Sequence, residues 1–181
     1  MVGSDEIFVS NPASGTVSII QPTRLLTVPA GKGSEGFDVS PDGRQLWTAN
    51  AGVDSVTVVD VATEKATETF PIPVQNANRL KFTPDGRYVF ISGLGEPGER
   101  DVGSPNNLLI LDARTHAIVK RLNLGAGAAG ILMDPAGHRA FVAVAGGDEL
   151  AVIDLSGFRV TGVIKGVKDP DGMAWARVPR G

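Results

Sequence analysis

Side chains able to do chemistry stand directly in front of three apolar runs: Glu35 before Gly36-Phe37, Asn78-Arg79 before Leu80-Lys81-Phe82, and Asp171 before Gly172-Met173. Carboxylate and amide oxygens gathered at one point are what a hard divalent cation such as calcium takes as ligands, with Glu35 and Asp171 as its carboxylates. The same set with the Arg79 guanidinium suits a small polar ligand. Against both stands turn chemistry, because Asp, Asn and Gly are the residues that tight connections need. A second acidic set, Glu96, Glu99 and Asp101, lies in the Gly- and Pro-rich stretch 93–106. It could bind a metal or a basic protein partner, or simply solvate a long loop.

The rest of the inventory closes off several reaction types. There is no cysteine, hence no disulfide, thiolate metal site or Cys nucleophile. The two histidines, His116 and His138, fall in turns, where a surface position is expected, and no Gly-x-Ser-x-Gly nucleophile motif occurs. The run Gly-Ala-Gly-Ala-Ala-Gly at 125–130 lies between two strand-like segments and opens no helix, so it lacks the helix N-terminus that gives phosphate loops their affinity. No catalytic residue is assigned. A net charge of −3 without clustered Lys or Arg argues against nucleic acid as a partner. The N-terminus has no basic and apolar leader pattern, and no segment has the roughly 20 apolar residues of a membrane helix, so neither a signal peptide nor membrane insertion is expected.

The elements that must position these residues repeat along the chain. Pro41, Pro84 and Pro135 sit in VSPDG, FTPDG and MDPAG, spaced by 43 and 51 residues. The aromatics Phe8, Trp47, Phe90 and Phe141 keep the same beat, spaced by 39, 43 and 51. Val59-Asp60, Leu111-Asp112 and Ile153-Asp154 close a further apolar run in three of the four units, with Ile20-Gln21 in the same slot earlier, and each Asp precedes a Thr or Ser by two or three residues, as an Asx-type turn cap does. A 40–50-residue period with four short apolar runs is the signature of a propeller blade. First strands are expected near Phe37, Leu80, Ile131 and Met173, and second strands near the four aromatics.

With SPDGRQLWTANAGVDSVTVVDVATEKA at 40–66 on the page, the chain resembles the YVTN-type β-propeller repeat family. IFVSNPASGTVSII, LLILDART and LAVIDLSG are less complete copies. The resemblance covers nearly the whole chain. Proteins similar to this family include exported binding proteins, which implies an extracytoplasmic home, and lactonase-type propellers. The redox propellers of similar build use a Cys-x-x-Cys-His haem attachment that is absent here, and the lactonase comparison is weakened by the shortage of histidine.

The expected fold is all-β, a single domain over 1–181 forming a β-propeller of about four four-stranded antiparallel blades, with the C-terminal Met173 strand completing the N-terminal blade. A closed four-blade ring, a homodimer completing a larger propeller and a fragment of a longer propeller all satisfy the repeat. In blades of this kind the connections between second and third strands share a face with the blade-to-blade crossovers. That face carries the channel mouth, with Glu35, Asn78, Arg79 and Asp171, and the 93–106 loop. The expected function is a non-catalytic binding or interaction module for a protein or small polar ligand. No cofactor is evident beyond a divalent cation such as calcium. The alternative is a lactonase-like hydrolase with a divalent metal at the mouth, held by Glu35 and Asp171.

Overall fold

A computed structural model of the chain describes residues 6–95 and 107–176. The first unit contributes β1 (Ile7–Asn11), β2 (Thr16–Gln21) and β3 (Arg24–Pro29). The second is β4 (Ser34–Val39), β5 (Gln45–Asn50), β6 (Ser55–Asp60) and β7 (Lys65–Pro71). The third is β8 (Ala77–Phe82), β9 (Tyr88–Gly93), β10 (Leu108–Asp112) and β11 (Ile118–Leu122), and the fourth is β12 (Ala128–Met133), β13 (Arg139–Val144), β14 (Glu149–Asp154) and β15 (Arg159–Lys165). Every sheet is an antiparallel meander in sequence order. The repeat read from the sequence is therefore the repeat of blades.

Burial follows position in the blade. β5, β6, β9 and β10 are buried almost throughout, whereas the last strands β7, β11 and β15 are exposed along nearly their whole length. The sheets stack face to face: Trp47, Val56 and Val58 of one pack against Leu80, Val89, Ile91 and Leu109 of the next. The third sheet meets the fourth through Phe90, Leu108 and Ile110 against Val142 and Ile153. A blade buries neither face by itself, so apolar burial lies between blades rather than within them. Trp47 is fully buried, with Phe70 and Phe82 both edge-on to its ring.

Turns carry the repeat because each has a specific conformation to enforce. In the first-to-second turns, Gly43, Gly86 and Gly137 donate their N–H to Ser40, Thr83 and Asp134 carbonyls, all at 2.8 Å, with φ near +70°. Proline stands at the second position, where its fixed φ suits the turn, and only glycine adopts the closing conformation without strain. In the third-to-fourth turns, Asp60 accepts from the Thr63 N–H and hydroxyl, both at 2.7 Å. Asp112 accepts from Thr115 in the same way, and Asp154 from Ser156 and the Gly157 N–H. The capping role read from the sequence is what these aspartates perform.

The all-β propeller fold stands, and one detail of it is corrected. The N-terminal sheet has three strands, and residues 171–176 form no strand. The Met173 segment does not complete the N-terminal blade. It lies at the other end of the row of blades, where Met173 packs on Ala129, Ala143, Ala145 and Leu150 of the fourth sheet.

Candidate functional site

The first strand of each complete blade carries a β-bulge at the same place. Pairing of β4 with β5 slips between Ser34 and Phe37, of β8 with β9 between Ala77 and Arg79, and of β12 with β13 between Ala128 and Ile131. The bulged residues are Glu35-Gly36, Asn78 and Ala129-Gly130, so two of the mouth residues read from the sequence sit at bulges. A bulge frees one residue from the ladder and re-aims its neighbours, which is why bulges gather beside binding sites.

Packing between neighbouring first strands occurs at these bulges. A Cβ added at Gly36 would collide with the Asn78 carbonyl and Arg79 Cα, and one at Gly130 would collide with the Asp171 carbonyl. Serines in second strands tie the bulges to the preceding blade, Ser10 Oγ donating to the Glu35 carbonyl at 2.7 Å and Ser92 Oγ to the Ala129 carbonyl at 2.5 Å. In the run at 125–130, Gly125 faces open space with a φ of +91°, whereas Gly127 and Gly130 are small because the backbone of Leu94 and Asp171 runs against them. That is a packing reason and not an anion-binding one.

Arg79 is the centre of the resulting site. Its Nη1 lies 2.8 Å from Glu35 Oε1 and donates to the Asn78 carbonyl at 3.1 Å, while Nη2 lies 3.5 Å from Asp171 Oδ2. Side-chain exposures of 32% for Arg79, 41% for Glu35 and 58% for Asp171 leave all three within reach of a ligand. Asn78 itself is buried. The four residues read from the sequence are therefore brought together, and the cation seated between the two carboxylates is a guanidinium. Among the described residues no group of three His, Asp or Glu is placed to hold a metal ion. Glu96, Glu99 and Asp101 lie outside the described residues.

Deeper along the same first strands, Asp38 accepts from Lys81 Nζ and from the Phe82 N–H, both at 3.0 Å. This contact between blades lacks any motif, because an aspartate within an apolar alternation marks no partner in sequence. The buried Asn50 is another residue the sequence left unassigned. It donates to Ser55 and Thr57 hydroxyls at 3.0 Å and accepts from the Gly31 N–H at 3.2 Å, locking a second-to-third hairpin to the crossover before it. Asn11 makes the same pair of bonds to Thr16 and Ser18 in the first unit. Recurrence of Asn before a Ser- or Thr-rich strand was the available signal.

The opposite face holds grooves between blades. One of 830 Å³ is bordered by Ser40, Asp42, Arg44, Asp60, Arg114 and His116, and one of 530 Å³ occupies the next interface around Asp85, Tyr88 and Phe158. Both are bounded by the turns that every blade repeats, so they follow from stacking blades. His116, expected at the surface, is instead three-quarters covered. Its ring stacks on Phe70 at 4.5 Å and meets Trp47 edge-on, and Nδ1 lies 3.4 Å from Glu68 Oε1. Its φ of +58° turns the chain back and brings the ring over the aromatic pair. His138 is exposed, as expected.

No protein-family model matches the chain, and no curated protein matches it in sequence. Solved structures do match it in shape. The chain is similar to Kuenenia stuttgartiensis hydrazine synthase with a TM-score of 0.77 at 20% identity, over 88% of this chain and 45% of that one. It is also similar to a functionally unknown protein from Desulfotomaculum acetoxidans, with a TM-score of 0.72 at 15% identity over 93% and 56% of the two chains. The chain thus spans about half the length of these solved chains. At such identity the likeness shows the fold alone.

Proposed function

We propose that this β-propeller chain is a non-catalytic binding or interaction module built from YVTN-type repeats, with its ligand taken on the face of the Glu35–Arg79–Asp171 clamp and the 93–106 loop. The observation that supports this most directly is the clamp itself: a guanidinium held between two partly exposed carboxylates at a bulge where first strands meet. Such a group offers an anion site and a cation site within one side chain's length. It suits a small zwitterion, or a protein segment carrying Lys or Arg beside a carboxylate, either of which can exchange partners with the existing ion pairs. A homodimer that completes a larger propeller belongs to the same reading.

The experiment is calorimetric titration of the chain with free amino acids and short Lys- or Arg-containing peptides, repeated on Arg79→Ala and Glu35→Gln. Binding that weakens at least tenfold in both variants is expected. Titration with calcium and an assay for lactone hydrolysis test the alternative of a lactonase-like hydrolase with a divalent metal at the mouth. Calcium-dependent turnover that Glu35→Gln abolishes would replace the binding reading with that one.

A further inference from the structure

Residues 169–176 follow the route of a first strand without having a sheet to join. In the second blade the Asp54 carbonyl accepts from the Ile72 N–H at 2.9 Å, and Asp54 Oδ1 accepts from the N–H of Asn76, which has a φ of +51°. The chain then enters β8. In the fourth blade the Asp148 carbonyl accepts from the Gly166 N–H at 3.2 Å, and Asp148 Oδ1 accepts from the N–H of Asp169, which has a φ of +40°. The same crossover is built twice with the same bonds. Two residues further on, the Asn78 carbonyl lies against Gly36 and the Asp171 carbonyl lies against Gly130. Asp171, Met173, Ala174 and Trp175 therefore occupy the positions of Asn78, Leu80, Lys81 and Phe82.

Meanwhile, among the described residues, β1 pairs with β2 only, and no strand lies along its other edge. The large apolar side chains left in solvent include Ile7 (63% exposed) and Val9 (39%) on that strand and Trp175 (46%) on the unpaired segment. An open edge lined by apolar residues is a pairing surface. Among the described residues the unpaired segment and the unpaired edge stand at opposite ends of the row of blades, where a second copy can bring them together.

We propose, deepening the homodimer part of the functional reading, that two copies of this chain exchange this segment: residues 170–176 of each add as the inner strand of the other's β1–β2–β3 sheet. The exchange is reciprocal, which closes the assembly at two copies. It yields eight four-stranded blades, the upper end of the roughly 4–8 that propellers usually hold. Register follows from the complete blades, where the first and second strands pair as Phe37↔Thr48 and Asp38↔Trp47, Leu80↔Ile91 and Lys81↔Phe90, Ile131↔Val142 and Leu132↔Phe141. By that rule Met173 stands opposite Val9 of the second copy, Ala174 opposite Phe8 and Trp175 opposite Ile7. The shared mouth then carries two copies of Glu35, Arg79 and Asp171.

Light scattering of the ligand-free 181-residue chain and disulfide trapping test this. The expected mass is twice 18.8 kDa. Because the chain lacks cysteine, differently tagged Val9→Cys and Met173→Cys chains can be mixed and oxidised, and they form a covalent heterodimer. Val9→Cys with Ala174→Cys, one residue out of register, cross-links at least tenfold less. Ala174→Pro, which cannot donate to the ladder, shifts the mass to 18.8 kDa while far-ultraviolet circular dichroism is retained. A monomer at all concentrations overturns the proposal, and so does a dimer in which the two cysteine pairs cross-link equally. These readouts use no ligand, so their failure leaves the mouth reading standing, and failure of ligand binding leaves the strand exchange standing.

Discussion

At the scale of single residues, the aspartates that recur once in each complete blade close turns. Asp60 is held below the usual carboxylate range by hydrogen bonds from the Thr63 hydroxyl and N–H, Asp112 by the Thr115 N–H and hydroxyl, and Asp154 first by the Ser156 hydroxyl. A carboxylate with a lowered folded-state pKa stabilises the fold above its unfolded value, near 3.8, and loses that contribution as pH falls through the folded value. Acid unfolding is therefore expected to begin below about pH 4. Asp60→Asn, Asp112→Asn and Asp154→Asn together flatten that limb, read as urea midpoints between pH 2 and 6. Arg79 behaves differently. Its ion pairs are partly exposed, so Arg79→Ala costs the fold about 1 kcal/mol or less while removing the ligand response, a split that urea melts and titration together resolve.

Within the blade, glycine and aromatic positions have opposite consequences. Gly36→Ala puts a methyl where the Asn78 carbonyl already lies, in a contact between two sheets with no slack. The expected cost is roughly 1–3 kcal/mol, as for other overpacked contacts, measured by chemical denaturation. Gly130→Ala adds a methyl whose nearest atoms all belong to Asp171. It should leave global stability nearly unchanged while loosening residues 170–176, seen as faster proteolysis there. Trp47→Ala empties the junction of Phe70, Phe82 and His116 and costs roughly 3–5 kcal/mol.

For the whole molecule, stability resides in the interfaces between blades, as in other repeat proteins. Hydrogen exchange is expected to be slowest in β5, β6, β9 and β10, which are covered on both faces, and fastest in β7, β11 and β15 at the rim. Among the described residues, the N-terminal sheet is covered on one side by β4 and has no strand beyond β1. If strand exchange completes it, exchange at Ile7–Asn11 slows with increasing protein concentration. Residues 170–176 should show the same dependence, and no other segment should.

The sequence alone determined the blades, because a turn needs its Pro and Gly at fixed offsets and a buried strand needs its apolar run, and both requirements are local. It also determined that Glu35, Asn78, Arg79 and Asp171 share a face, since strand alternation sends every crossover the same way. Three things were decided only by tertiary structure. The Arg79 guanidinium sits between the two carboxylates because a bulge re-aims first-strand residues, and no residue type marks a bulge in advance. His116 is three-quarters covered because a positive φ folds its ring onto Phe70, a contact between distant segments. The Met173 segment resembles a first strand and takes a first strand's route, but within one chain it has no partner strand, since pairing depends on where β1 lies and β1 is at the far end of the row.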